Sequence, residues 1–440
     1  MVFLILLCKI LSKVSRWLNL GGGGTWPGEL LLKLYPSALN YFLSRFDKGV
    51  IIVAGTNGKT TTSSLIKQII VEDEKHAKDP SVVVHNHTGA NLVNGIVSAC
   101  IMHSPWIKNP CFSWGIFEVD EAVLPHIASA IHDYTKSVSV VLLNLFRDQL
   151  DRYGEVDAIA VKWDKALKDF PKQTNLIINA DDPLLAYLGL NSHKKTIYFG
   201  LDHKDRYLKL SEHATDSIYC PKCGARLTYS GLYYSHLGVW VCDTCGFKRP
   251  EPDVSNIKLP IPGLYNEYNA SAAVAVVRTL WVDKAIIQKM LDSFSPAFGR
   301  METFEYQGKH VRLLLSKNPA GFNASIRTVI DLDSKTILFC LNDRIPDGRD
   351  VSWIWDVDFE MVPETVSIVA SGDRAYDMGL RLKYAEKSQN PALKFNIYEN
   401  LTEGIHHGLK LLPKNETLYI LATYSAMLEA RKLLIGRKLI

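Results

Sequence analysis

The stretch VIIVAGTNGKTTTSSLIKQII, residues 50–70, constrains the fold of this chain more than any other. Its apolar start predicts a buried strand, its glycines predict a turn, and the apolar spacing after Lys59 predicts a helix. Backbone N–H groups in such a turn and at a helix N-terminus hold phosphate, while Lys59 can reach the outer phosphates and Thr60 can bind magnesium. The strict phosphate-loop pattern has one more glycine, where this chain has Val53. The strand and helix context nevertheless predicts a nucleotide phosphate site.

Short apolar runs alternate with helical patterns from residue 50 onward, which is typical of parallel strands covered by helices on both faces. A first set of runs is GVIIVAG, SVVVH, GIFEVD, VSVVLLNL, TNLIINA and TIYFG, and a second set is VRLLLS, KTILFCL, VSIVASG, LKFNIYE and TLYILA. A chain of 440 residues has room for two or three domains. We expect an α/β protein with a central parallel-sheet ATP-binding domain at 50–296 and a smaller Rossmann-like α/β domain at 297–440.

The segment 1–49 is predicted to be helical. It begins MVFLILLCKILSKVSRWLNL, where the opening apolar run is too short to span a bilayer, which needs about 20 residues. Leu11, Val14 and Leu18 then recur at helical intervals among basic residues. We expect a basic amphipathic helix that either packs on the body of the protein or touches a membrane surface, with a hinge at GGGG, residues 21–24.

Acidic and polar residues follow two of the predicted strands. In parallel sheets the ligand crevice lies outside the carboxyl ends of the strands, so Glu118 or Asp120 could hold magnesium opposite the phosphate loop. Solvated acids at a strand end are the alternative. A second candidate cleft lies in LNLFRDQLDRYGE, which contributes Asn144, Arg147, Asp148 and Asp151.

Four cysteines interrupt the alternating pattern in an insertion at about 205–255. They form two Cys-x-x-Cys pairs with eighteen residues between them, Cys220 with Cys223 and Cys242 with Cys245. Each pair can direct two thiolates at one tetrahedral zinc ion, and the aromatic residues between the pairs suit a hairpin. Four thiolates leave no open coordination position, so the predicted zinc is structural. A redox or disulfide role is the alternative.

Several motifs together resemble the Mur ligase family: GTNGKTT, EVDE, NADDP at 179–183, GLYNEYNASAA at 263–273 and FGRME at 298–302. These are ATP-dependent ligases of peptidoglycan synthesis that activate a carboxylate as an acyl phosphate. Conventional members carry an N-terminal UDP-binding domain, for which the 54 residues before Gly55 leave no room. The cysteine insertion, FRDQLDRYGE, KNPAGFNAS and DGRDVSWIWDVDFE narrow the resemblance to the MurT family, over essentially the whole chain.

This resemblance implies a function. MurT proteins are the ligase-like subunits of lipid II isoglutaminyl synthases, and they use ATP to amidate the D-glutamate α-carboxylate of lipid II to D-isoglutamine. The ammonia comes from glutamine, hydrolysed by a partner amidotransferase subunit of the GatD type. The resemblance therefore implies a cytoplasmic enzyme whose substrate lies at the membrane surface, and it leaves open whether the chain itself contacts the inner face of the membrane.

The resemblance also assigns residues by motif. It implies that the ATP phosphates are bound by Gly55, Thr56, Asn57, Gly58, Lys59, Thr60 and Thr61. It also implies that Thr60 and Glu118 bind magnesium and that the four insertion cysteines bind zinc. Asn266 and Asn269 correspond to residues that line the nucleotide base site, and Arg300 follows the hinge toward the last domain. Asp350, the last residue of DGRD, is implied in catalysis because it would complete a Cys-His-Asp triad across the subunit interface. Asp347, Asp356, Asp358 and Glu360 are left undecided between loop shaping, partner contact and solvation.

Two rival functions stay open at the level of sequence. The first is an amino-acid-adding ligase of the Mur or folylpolyglutamate type, against which the missing UDP domain, the cysteine insertion and the DGRD stretch argue. The second is a zinc-ribbon NTPase that depends on nucleic acid. The formal charge of +4 and an ordinary 22% of charged residues are far from the strong basic field of a dedicated nucleic-acid binder. We therefore expect no nucleic-acid partner.

Overall fold

The computed structural model describes residues 1–17, 24–77, 81–86, 90–148, 156–209, 211–295, 300–385 and 395–436. These residues form two large β-sheets, each covered by helices on both faces. None of the described helices has the length and apolar character needed to cross a membrane.

The first sheet is wholly parallel. Its strands are β1 Phe46–Ala54, β2 Val83–His85, β3 Phe112–Glu118, β4 Ser137–Leu142, β5 Asn175–Asn179, β6 Lys195–Gly200 and β9 Val254–Ser255. Their spatial order is β2-β3-β1-β4-β5-β6-β9. In β1, Val50, Ile52 and Ala54 face one helical layer, while Ile51 and Val53 face the other. Burial on both faces explains why the predicted strands are continuously apolar, and all six predicted strands of this set are present.

Helices form a layer on each face of this sheet. One layer contains α1 Val2–Trp17, α2 Trp26–Leu34, α3 Ala38–Leu43, α5 Val93–His103, α6 Leu124–Ala130, α7 Val156–Asp169 and α8 Pro183–Asn191. The other contains α4 Lys59–His76, α9 Leu264–Thr279 and α10 Lys284–Asp292. Helix α1 packs on α2 and α5, so the body-packing alternative is confirmed for one side of it. Of the predicted hinge at 21–24, only Gly24 lies within the described residues.

The second sheet forms the C-terminal part of the chain. Its strands are β10 Arg300–Tyr306, β11 Lys309–Leu315, β12 Thr336–Cys340, β13 Ser367–Ser371, β14 Phe395–Tyr398 and β15 Thr417–Ala422, in the order β10-β11-β15-β12-β13-β14. Helices α11 Pro319–Asp331 and α12 Ala375–Tyr384 cover one face, and α13 Leu401–Leu411 and α14 Tyr424–Ile435 cover the other. All pairs are parallel except β10 with β11, and β10 is the strand that the sequence did not predict.

The cysteine segment lies between β6 and β9, which are neighbours in the first sheet. Its core is an antiparallel hairpin of β7 Thr228–Tyr234 and β8 Leu237–Val241. The two Cys-x-x-Cys turns flank this hairpin, and Tyr234 near its tip accepts a hydrogen bond from Asn57 Nδ2, just after β1, at 3.3 Å.

Candidate functional site

The predicted phosphate loop is the turn between β1 and α4. Gly55 has φ +140° and Gly58 has φ +91°, a region that residues with a Cβ rarely adopt. A Cβ at Gly58 would lie 2.0 Å from Asn269 Oδ1 of helix α9. Glycine is therefore favoured at position 58 both by backbone conformation and by the close approach of the Asn269 side chain.

Residues that follow β4 fix the conformation of this loop. The Asn57 backbone N donates to Asn144 Oδ1 (2.8 Å), and Asn144 Nδ2 donates to the Asn57 carbonyl oxygen (3.0 Å). Thr56 Oγ1 accepts from the Phe146 backbone N at 3.0 Å. Asn144 therefore lies at the cleft where we predicted it, because β4 is the neighbour of β1. Asp151, from the same predicted cleft, lies outside the described residues.

Lys59, the predicted charge clamp, is buried beneath the loop. Its Nζ donates to the carbonyl oxygens of Gly55 and, at 3.3 Å, of Thr56, and it lies 3.7 Å from Glu121 Oε2. These contacts hold the ammonium group beside the turn whose N–H groups would bind phosphate. A phosphate oxygen there would be a stronger partner for the ammonium than a neutral carbonyl oxygen.

The predicted magnesium ligands are in contact with each other. Thr60 Oγ1 donates to Glu118 Oε2 at 2.7 Å, at the carboxyl ends of the neighbouring strands β1 and β3. Asn86 holds the Glu118 backbone through two hydrogen bonds, of 2.8 and 2.9 Å. Hydroxyl and carboxylate oxygens are the donors that magnesium prefers, so these two residues suit the ion. Asp120 instead accepts a local hydrogen bond from the Ala122 N at 3.1 Å.

A cavity opens beside the phosphate loop, between the two sheets. The first sheet and helix α9 line it with Asn57, Gly58, Thr61, Asn144, Tyr265, Tyr268 and Asn269; the insertion adds Tyr234 and Leu237; and the C-terminal part adds Met301, Leu314, Leu315, Lys317, Gly321, Ala324 and Ser325. Of the two predicted base-site residues, Asn269 lines this cavity, whereas the buried Asn266 donates to the Pro262 carbonyl oxygen at 2.7 Å. The side chain of Arg300 lies outside the described part of the chain.

Asn57 joins three separate parts of the chain at this cavity. Its Nδ2 donates to Tyr234 OH at the insertion tip (3.3 Å) and to Asn318 Oδ1 in the C-terminal part (3.2 Å). Asn318 Nδ2 donates back to Asn57 Oδ1 at 3.1 Å. Burial raises the pKa of Tyr234, so its phenol stays protonated and able to donate. Sequence reasoning gave no role to Tyr234 or Asn318, although Asn318 lies in the motif KNPAGFNAS.

The insertion is fixed to the sheet by the first aspartate of NADDP. Asp181 is fully buried, where it accepts from Arg249 Nε and Tyr268 OH, each at 2.6 Å. Arg249 Nη2 also donates to the Leu201 carbonyl oxygen at 2.6 Å. Burial raises the pKa of Asp181, an effect that Arg249 opposes. This network ties the insertion to helix α9, whose residues line the cavity.

The four insertion cysteines converge on one point. Their sulfur atoms all lie within 4.8 Å of one another, with Cys220 Sγ 3.7 Å from Cys245 Sγ and Cys223 Sγ 3.5 Å from Cys242 Sγ. Ligand bonds of about 2.3 Å around a tetrahedral zinc ion place sulfurs about 3.8 Å apart, which matches this spacing. The four residues therefore suit zinc, although the metal itself stays a prediction.

Charged pairs connect the C-terminal part to the insertion and to the loop after β4. Arg327 contacts the buried Glu212, which also accepts from the Ser235 N at 2.6 Å. Burial raises the pKa of Glu212 to about 6. Two of the undecided acids belong to this interface: Asp356 lies 3.2 Å from Arg147, and Asp358 contacts His213.

The remaining acids of the DGRD stretch differ in their partners. Asp347 is buried and accepts from the backbone N of Ser425 at 2.8 Å, which shapes the loop against α14. Glu360 pairs with Arg381 at 2.8 Å.

Asp350 has a different environment from these acids. Its exposed carboxylate accepts from the Ser352 backbone N at 2.8 Å, and this bond lowers the pKa of Asp350. Among the described residues no cation pairs with it. Asp350 is therefore an ionised, outward-facing carboxylate on a loop that its neighbours hold in place.

Comparisons with known proteins agree with this architecture. Residues 53–277 match the model of the Mur ligase middle domain, and residues 315–427 match that of the MurT ligase C-terminal region. Lipid II isoglutaminyl synthase (glutamine-hydrolyzing) subunit MurT from Staphylococcus aureus strain N315 is 34% identical, over 89% of this chain and 90% of that protein. The protein of the same name from Streptococcus pneumoniae strain R6 is 34% identical over 96% and 94% of the two chains.

The fold also has solved counterparts. A pseudomurein peptide ligase type C from Methanothermus fervidus superimposes with a TM-score of 0.65 at 22% identity, over 89% of this chain and 79% of that one. At this identity the likeness concerns the fold alone. With both family models and full-length relatives in agreement, the chain belongs to the MurT family of Mur ligase-like proteins.

Proposed function

We propose that this chain is the ligase subunit of a lipid II isoglutaminyl synthase in peptidoglycan synthesis. It would use ATP to convert the D-glutamate α-carboxylate of lipid II into the carboxamide of D-isoglutamine. The observation that carries the chemistry is the contact of Thr60 with Glu118 at 2.7 Å, directly beside the glycine turn of the phosphate loop. The names of the full-length relatives supply the substrate and the reaction.

The nucleotide would lie across the cavity between the two sheets. The turn from Gly55 to Thr61 would hold the phosphates through its N–H groups, with Lys59 neutralising charge on the outer ones. Asn269, in the cavity wall, would contact the base, and Asn266 and Arg300 complete the proposed nucleotide set. Magnesium held by Thr60 and Glu118 would supply further positive charge to the phosphates.

The reaction divides into two steps. A carboxylate oxygen of the substrate attacks the γ-phosphorus of ATP, the bond to the ADP oxygen breaks, and an acyl phosphate forms. Ammonia then attacks the acyl carbon, the bond to phosphate breaks, and the nitrogen loses a proton as the amide forms. Residues from the phosphate loop, the insertion and the C-terminal part all border the cavity. A closed arrangement of these parts would exclude water from the acyl phosphate.

Ammonia would come from glutamine through a separate GatD-type amidotransferase subunit. We propose Asp350 as the carboxylate that orients the partner's catalytic histidine, because it is exposed, ionised and held by its own loop. The Asp350 carboxylate would stay ionised throughout this role. Asp347 would act only through loop shape, since its carboxylate is buried against Ser425.

The insertion would bind a structural zinc ion through Cys220, Cys223, Cys242 and Cys245. We further propose that the chain divides into a helical segment 1–49, a central ATP-binding domain 50–296 with this insertion, and a C-terminal domain 297–440. The enzyme would work in the cytoplasm, at the inner face of the membrane where lipid II is presented.

The ligase activity can be tested without the partner. The purified chain is incubated with ATP, magnesium, detergent-dissolved lipid II and ammonium, and the products are analysed by mass spectrometry. We expect ADP and amidated lipid II, and a Thr60→Val variant should form neither. Incorporation of an added amino acid in place of ammonia would instead identify an amino-acid-adding ligase. ATP turnover stimulated by DNA or RNA, without amidation, would contradict the proposal.

A further inference from the structure

Helix α1 is apolar on two opposite sides. One side packs on the body of the protein through the buried Ile5 and Cys8. The opposite side carries Phe3, Ile10, Val14 and Trp17, whose spacing of seven, four and three residues places them on one face of a helix. Phe3 is 73% exposed and Trp17 is 83% exposed. Packing on the body therefore does not account for the outer stripe.

The loop after α5 extends this exposed surface. Lys13 Nζ lies 4.5 Å from the centroid of the Trp106 ring, which brings the loop beside the helix. Next to Trp106, Ile107 is 85% exposed and Lys108 is also exposed. We define the α1 patch as the exposed apolar residues of these two elements, Phe3, Ile10, Leu11, Val14, Trp17, Trp106 and Ile107.

Exposed lysines border the α1 patch. Lys9 is buried and donates to the Ser104 carbonyl oxygen, so it adds no charge to this surface, and Glu29 of the neighbouring helix α2 pairs with Lys33 at 2.9 Å. Lys13 is exposed at the edge of the apolar stripe, and Lys108 is exposed on the neighbouring loop. Exposed tryptophans beside an apolar stripe, with lysines at its edge, are the composition of helices that lie in the interface of an anionic membrane.

We propose that the α1 patch binds the surface of an anionic phospholipid bilayer. Phe3, Ile10, Val14 and Trp17 would enter the boundary between headgroups and acyl chains, and Lys13 and Lys108 would contact lipid phosphates. This inference deepens the proposed function and rests on it for its purpose, since a surface-bound enzyme would meet a lipid-linked substrate. The geometry of the patch itself is independent of the reaction.

Vesicle flotation tests the patch directly. The full chain, without nucleotide or lipid II, is mixed with vesicles of phosphatidylglycerol and phosphatidylcholine or of phosphatidylcholine alone. We expect flotation with the anionic vesicles, weakened by salt, and a Phe3→Ser/Trp17→Ser variant should lose about tenfold or more in partitioning. Trp281→Ser is the matched control, because Trp281 is 93% exposed but lies outside the patch. Lys13→Gln/Lys108→Gln should weaken binding to the anionic vesicles alone.

Three outcomes would overturn the proposal: no flotation with anionic vesicles, an equal loss in the Trp281 control, or a protein occupant of the patch. If a protein covers the patch, the wild-type chain should form a dimer or an amidotransferase complex. The Phe3→Ser/Trp17→Ser variant should then show the lower mass of the separate chains. Amidation of detergent-dissolved lipid II needs no bilayer, and flotation needs no reaction. A negative result for membrane binding by the α1 patch can therefore be distinguished from a negative result for the proposed amidation.

Discussion

Replacement of Gly58 by alanine should have two separable effects, a loss of stability and a loss of nucleotide affinity. The first is backbone strain, because an alanine at φ +91° costs about 1–2 kcal/mol of stability. The second is a steric clash with Asn269 Oδ1, since the new Cβ would lie 2.0 Å from an atom whose ordinary contact distance begins at 3.4 Å. The Asn269 side chain, the loop or helix α9 must then move by more than 1 Å, which displaces the residue that would contact the nucleotide base. We expect the affinity for ATP to fall by about tenfold or more, a cost of at least about 1.4 kcal/mol.

Gly308→Ala provides the matched control for the first effect. Gly308 has φ +70°, but nothing lies within 4 Å of its added Cβ. Isothermal titration with a non-hydrolysable ATP analogue and urea unfolding would be measured on both variants. We expect a similar loss of stability from backbone strain in the two, with ATP affinity lost only in Gly58→Ala. If Gly58→Ala bound the analogue within about threefold of wild type, the close approach of Asn269 would not constrain the site.

Three further predictions concern the insertion and its contacts. Treatment with a chelator should release the predicted zinc, detected by mass spectrometry. It should also weaken ATP binding, because the insertion tip holds Tyr234 against Asn57. Unchanged ATP affinity after zinc loss would contradict this coupling. Arg249→Met should destabilise the protein by about 3–5 kcal/mol in urea unfolding, since Asp181 would be left buried without its cation. A loss below about 1 kcal/mol would refute that account. Glu212 has its folded pKa raised from 4.5 to about 6, so its contribution to stability is full below about pH 4.5 and is lost as pH rises through about 6, at a cost of about 2 kcal/mol. The Glu212→Gln variant should therefore lose less stability than wild type between pH 4.5 and 7, and parallel pH curves would rule the assignment out.

The parts of the fold that the sequence predicted depend on local patterns. Strands buried on both faces are apolar throughout, so β1 and its neighbours could be read directly, and the glycine turn before Lys59 has a distinctive composition. Strand β10 was missed because it lies at the edge of its sheet, where Glu302 and Glu305 interrupt any apolar run. The antiparallel pairing of β10 with β11 leaves no continuous apolar run in the sequence, whereas a buried parallel strand does.

The parts of the site that the sequence missed depend on how distant segments pack. Nothing near Tyr234 indicates that the insertion tip reaches the phosphate loop, 177 residues away along the chain. Similarly, the roles of Asp356 and Asp358 follow from Arg147 and His213, which lie in other parts of the fold. Motif resemblance supplied Asp350 without its environment, and the structure added that it is exposed and bound within its own loop.

The central claim is that this chain amidates lipid II with ammonia delivered by a partner subunit. The most direct test supplies the complex of chain and amidotransferase with ATP, lipid II and glutamine labelled with nitrogen-15 in its side-chain amide, and locates the label by mass spectrometry. We predict label in the D-isoglutamine carboxamide with wild type. With Asp350→Asn, glutamine-dependent amidation should be lost while amidation from added ammonium, ATP binding and zinc content are retained. Unlabelled lipid II from the wild-type complex, or full glutamine-dependent activity in Asp350→Asn, would contradict the account.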